Sequence, residues 1–181
     1  SQSYGWTWYT LDQVLRFPVT RIELEDLAGV LDDFDVVVLP SAFGAGGVLG
    51  DNGQAALRRW VRNGGTLVTF DAATAWATSE DAELSRFRLR EDSASDGSAP
   101  LPVDVPGAIL RTAADTLSPL MAGVRDTDIA VMLFTDRVYE TPDDLRPGEV
   151  VLRFADQDRL RLAGYVWPEV PERLAGSPSL W

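Results

Sequence analysis

Apolar residues in the first half of this chain switch between helical and strand spacing. Leu11, Val14 and Leu15 recur at helical intervals between Thr10 and Pro18. Thr10-Leu11-Asp12-Gln13 has the form of a capping box, so the pattern predicts a short amphipathic helix that Pro18 stops. Residues 19–24 alternate, with Val19, Arg21 and Glu23 set against Thr20, Ile22 and Leu24, and predict a strand. A short helix or turn is expected at 25–31. Residues 34–40, FDVVVLP, form a continuous run of the kind buried on both faces in the centre of a parallel sheet.

A Gly-rich loop is expected at 41–50. Asp51 can cap the helix after it, with Gln54 three residues on, and Leu57, Trp60 and Val61 supply its apolar face. Gly64-Gly65 ends that helix with a residue free to take positive φ. TLVTF at 66–70 predicts a second buried strand, Asp71 follows directly, and 72–78 predicts a helix. This order is a βαβ unit, whose strands run parallel.

In the second half, residues 91–106 (EDSASDGSAPLPVDVP) predict a loop within one domain. Strands are expected at 108–112 and 129–135, and a turn on Ser118-Pro119. A hairpin is expected from 150–155 and 160–166 around Asp156-Gln157-Asp158. The predicted fold class is α/β, an open and mostly parallel sheet with helices on both faces plus a C-terminal β-hairpin, as one domain over residues 1–181. That length suits a single domain.

Composition narrows the chemistry. The chain has no Cys and no His, and its 16 basic residues are all Arg. No Ser-His-Asp or Cys-His device, Schiff-base lysine, P-loop lysine, thiolate zinc site or histidine-ligated metal can be built from it. The net charge of −12 argues against nucleic acid and against anionic membrane surfaces as partners. No stretch reaches the ~20 apolar residues of a membrane span. Catalysis must come from Asp, Glu, Ser, Thr, Tyr, Arg or the backbone.

Ligands of open α/β sheets sit beyond the carboxyl ends of the strands. Two such ends are visible, Pro40-Ser41 and Phe70-Asp71. Asp71 stands where elbow-type hydrolases display a nucleophile, so it reads either as a carboxylate nucleophile or base, or as a helix N-cap. Gly44, Gly46, Gly47 and Gly50 read either as an anion cradle or as punctuation; neither the P-loop ending nor the dinucleotide fingerprint is present. Ser41, Asp71 and Arg137 are candidate lining residues of a ligand pocket, with Glu140 a second carboxylate for a glycosidase-like or hydrolase pair. Asp32-Asp33, Asp126/Asp128, Asp143-Asp144 and Asp156/Asp158 read as weak cation sites or as turn and helix-end residues, and none has EF-hand spacing. The six Trp residues suggest core packing before sugar stacking.

The segment FDVVVLPSAFGAGG…DNGQAALRRWVRNGGTLVTFDAATA resembles the class I glutamine amidotransferase-like fold, a flavodoxin-like sandwich. In that family the strand after the glycine pair delivers a nucleophilic Cys, and counting from Gly65 its position here is Asp71. GWTWYTLDQVLRFPVT, GGTLVTFDAATA, PGAILRT, SPLMAGV and LAGYVWPEVPERLAGSPSLW together resemble the amidotransferase-like module at the C-terminus of bacterial M14-type zinc carboxypeptidases. The resemblance implies a scaffold without glutaminase chemistry, an accessory role beside a peptidase domain of the same chain, and zinc only in that domain. It also implies a piece of a longer, extracellular or periplasmic protein. The alternatives are a hydrolase using Asp71 with Ser41 or Glu140, and a carbohydrate- or ligand-binding module.

Overall fold

A computed structural model describes residues 2–90 and 104–181, so most of the loop expected at 91–106 lies outside the described residues. The fold is mixed α/β. The chain divides into two compact units, Ser1–Arg86 and Phe87–Trp181, each described by itself.

The first unit opens with helix α1 (Gln2–Trp8), continued by a wider, π-type stretch over Tyr9–Val14. The helix expected from Thr10 therefore has no start there. Residue 8 already has helical φ and ψ, and the Gln13 amide bonds the Asp12 carboxylate instead of a backbone N–H. Residues 19–24 form no strand, because among the described residues nothing pairs with them. The alternation survives as burial only over 21–24, where Ile22 and Leu24 are half-buried while Arg21 and Glu23 are exposed.

β1 (Val36–Leu39) and β2 (Thr66–Thr69) pair in parallel, Val36 beside Thr66 through Leu39 beside Thr69. Helix α2 (Ala45–Arg62) connects them and kinks at Gly50, where φ is 61° and ψ 175°. Its Leu57 and Trp60 pack on Leu27 and Leu31 of two short 3-10 turns. The Trp60 indole N–H donates to the Phe34 carbonyl at 3.1 Å. The helix ends in a Schellman motif: Gly64 N–H donates to Val61 O at 3.0 Å and Gly65 N–H to Trp60 O at 3.1 Å, with Gly64 at φ 108°. Helix α3 (Ala72–Ala77) follows β2 after two residues.

In the second unit β3 (Arg88–Leu89) pairs with β6 (Tyr139–Glu140). The larger sheet has five strands: β4 (Ala108–Ala114), β5 (Asp128–Leu133), β7 (Leu152–Phe154), β8 (Arg161–Gly164) and β9 (Pro178–Leu180). Every pairing in it is antiparallel, so among the described residues the parallel part of the expected sheet is confined to β1–β2. A short 3-10 turn over Pro119–Met121 follows Ser118, and helix α4 (Val170–Leu174) precedes β9.

The expected C-terminal hairpin is not formed. β7 and β8 do not pair with each other; both lie antiparallel to β4, β7 against Thr112–Ala114 and β8 against Ala108–Leu110. Arg111 bonds both ends of the excursion between them, its N–H to Leu160 O at 2.7 Å and its carbonyl to Ala155 N–H at 3.0 Å. The Asp156–Arg159 turn thus loops out of one continuing strand. Turn residues mark a change of direction, and here the chain resumes its original one.

Val105, Ala108, Leu110, Val138, Phe154, Leu160, Val170 and Leu174 form this unit's core. Thr112, fully buried, donates its hydroxyl to Ile129 O at 2.9 Å. Trp181 stacks on Phe87, with ring centroids 4.8 Å apart.

Trp60 also sets a steric condition. A Cβ on Gly65 would lie 2.3 Å from its indole carbons. Gly65→Ala is expected to destabilise the chain by about 1–3 kcal/mol, read from denaturant unfolding, although Ala is ordinarily the safer residue.

Candidate functional site

The carboxyl ends of β1 and β2 bring two of the sequence-predicted residues together. Ser41 lies two residues beyond β1 and Asp71 two beyond β2, and the strands are in register. The Ser41 hydroxyl donates to Asp71 Oδ2 at 2.7 Å. The Ser41 N–H donates to Ser3 Oγ at 3.1 Å, which ties α1 to this end of the strand pair. Ser3 carries no motif, and nothing in the sequence singles it out.

Asp71 has φ 48° and ψ −112°, well outside the ordinary left-handed region for a residue with a Cβ. Such geometry costs about 1–3 kcal/mol and persists only where its surroundings enforce it. Here the enforcement is local. Phe70 N–H is held by Leu39 O at 3.1 Å, and Ala73 and Ala75 N–H groups bond Phe70 and Asp71 carbonyls at 3.1 and 3.0 Å. The chain must pass from strand to helix within two residues, and Asp71 absorbs the turn. Its side chain makes no capping bond to α3, which corrects the N-cap reading. The strained turn displays the carboxylate towards Ser41 instead.

The Gly-rich segment is not a loop. Gly44, at φ 69°, caps α2, and Gly46 and Gly47 lie in its first turns, where Val48 N–H already bonds Gly44 O at 3.1 Å. Gly46 is required by close approach, since a Cβ there would sit 2.5 Å from the Trp76 indole nitrogen. Gln54 donates to Gly46 O at 3.0 Å across the kink, in place of the capping bond expected beside Asp51. The segment thus forms the start of α2 and its kink.

Arg137 and Glu140 belong to the second unit. Arg137 donates from Nη1 to Thr135 Oγ1 at 3.0 Å, and Glu140 is an exposed residue of β6 paired with Arg88. Of the acidic pairs, Asp126/Asp128 supplies turn and ion-pair groups: Asp126 accepts the Asp128 N–H at 3.0 Å, and Asp128 binds Arg111 and Arg159. Among the described residues, no three Asp or Glu are grouped to hold a metal ion, and no helix is long and apolar enough to cross a membrane. Burial, then the like charge of Arg90, lowers the pKa of Arg173 below the ordinary arginine value. Compared with protein-family models, curated proteins and solved structures, the chain matches none.

The backbone of Asp71 can be tested apart from its side chain. Asp71→Ala and Asp71→Gly both lose the bond to Ser41, and only glycine relieves the dihedral. The glycine variant is expected to be the more stable by about 1 kcal/mol in thermal or urea unfolding, the reverse of their usual order.

Proposed function

We propose that this chain is a non-catalytic, amidotransferase-like accessory domain that supports or positions the peptidase domain of a secreted zinc metallocarboxypeptidase. The supporting observation is the strained turn at Asp71, a nucleophile-type elbow carrying a carboxylate engaged by Ser41. The β1–α2–β2 crossover is compatible with a flavodoxin-like sheet, the finer fold this reading requires. Without Cys or His, no thiolate attacks an amide and no imidazole carries the proton. Zinc would reside in the peptidase domain, and the partner is that domain itself. The role is structural or substrate-positioning, with binding and packing in place of bond cleavage.

The purified chain is expected to release no ammonia from glutamine and no C-terminal residue from peptides above the rate without protein. Turnover of either substrate, lost in Asp71→Asn, overturns the proposal.

The Ser41–Asp71 bond supports a second reading, a small-molecule hydrolase in which Asp71 takes the Ser41 proton. A carboxylate is a poorer general base than imidazole near pH 7, so this pair is suited to activated esters at most. Hydrolysis of p-nitrophenyl acetate that falls at least ~100-fold in both Ser41→Ala and Asp71→Asn supports it; equal rates in wild type and variants dismiss it.

A further inference from the structure

We infer that the outward face of the five-stranded sheet is a self-complementary dimer interface, packing two copies of this chain face to face. β4 is the spine of that sheet, with β5 on one side and β7 and β8 on the other. Ala108, Leu110 and Thr112 point inward and are buried. Alternation therefore turns Ile109, Arg111 and Ala113 outward. Ile109 pairs with Met132 on β5 and with Ala163 on β8, so the three make one outward row. Sheets with one wetted face carry polar residues there. This row carries none, and Ile109 is 37% and Met132 58% exposed. Ala130, the partner of Arg111, extends the apolar surface. At its far end Asp128, on the β5 side, binds Arg111 and also Arg159, which lies in the turn before β8, at 3.2 Å.

The occupant follows from symmetry. A two-fold axis laid along β4, above the face, places the β5 side of one copy over the β8 side of the other. Met132 of one copy then meets Ala163 of the other, large on small, and Ile109 meets its own counterpart. Ala113 pairs with Asp128 on β5 and with Arg153 on β7, so Asp128 of one copy meets Arg153 of the other. Each unlike pair occurs twice, as an isologous interface requires. Sheets stacked ~10 Å apart and rotated by about 30° accommodate the overlay. The −12 on each copy opposes association, but salt screens distant charges beyond about 8 Å at physiological ionic strength, and the facing Asp–Arg pairs are closer.

Sedimentation equilibrium of the whole chain at physiological salt is expected to show a reversible dimer within about 10–100 µM protein. Met132→Glu puts a carboxylate into the apolar row and should weaken it at least ~30-fold. Ala163→Met fills the space that the facing Met132 needs and should weaken it at least ~10-fold, with the monomer's near-UV circular dichroism unchanged. A chain that stays monomeric across that range overturns the inference and leaves the face to a different protein. A dimer untouched by both substitutions overturns it equally, because its contact lies elsewhere. If Met132→Glu does not fold, the Ala163→Met measurement decides alone.

Discussion

Parallel pairing of β1 and β2 is the constraint on which the first unit depends, because parallel strands cannot be joined by a tight turn. The chain has to leave at the carboxyl end of β1, travel back and re-enter at the start of β2. Helix α2 makes the return, and its far end is closed by the Schellman motif at Gly64 and Gly65. The Trp60 ring over Gly65 brings the helix end close to the start of β2, and its indole N–H holds the segment entering β1. At the opposite end the same requirement acts on Asp71. Having come through a strand that must stay in register, the chain turns into α3 at once, and the dihedral strain collects in that residue.

The second unit is organised by β4 instead. That strand has neighbours on both sides, and its inward residues carry the core. Its two faces differ in kind: Thr112 spends its hydroxyl on a neighbouring strand's carbonyl, while the outward positions hold a charged cluster at one end and aliphatic side chains at the other. Continuous apolar runs therefore mean different things in the two units. FDVVVLP marks a strand of a parallel pair; AILRTAA and DIAVML mark an antiparallel sheet whose outer face is charged at one end and aliphatic at the other.

Local chemistry was the most legible part of the sequence. The apolar face of α2, the glycine pair that ends it, the parallel direction of its flanking strands and the placing of Asp71 after β2 all follow from spacing and residue type, because short-range rules govern them. Partner choice was not legible. Residues 19–24 alternate as a strand does, yet a strand needs a neighbour, and periodicity names none. The Asp156-Gln157-Asp158 turn signal was real, but a turn specifies bending and not what the chain rejoins. The Gly-rich segment misled for another reason: Gly46 is small to admit an indole, so its flexibility was incidental. At the elbow, the side-chain partner of Asp71 was foreseeable from two strand ends in register; the tie from Ser3 came from a helix of unremarkable sequence.

The looped-out turn between β7 and β8 bears on how this chain can change. Both of its ends are bonded to one residue, Arg111. A segment whose backbone ends meet at one residue can lengthen or shorten without shifting either strand half against β4, and loop entropy grows only slowly with added residues. Insertions that would flip every side chain of an ordinary strand to the wrong face are absorbed there. Residues 156–159 are thus the place in the sheet where sequence length is free to drift, or where a new segment can be spliced in with the core left in register.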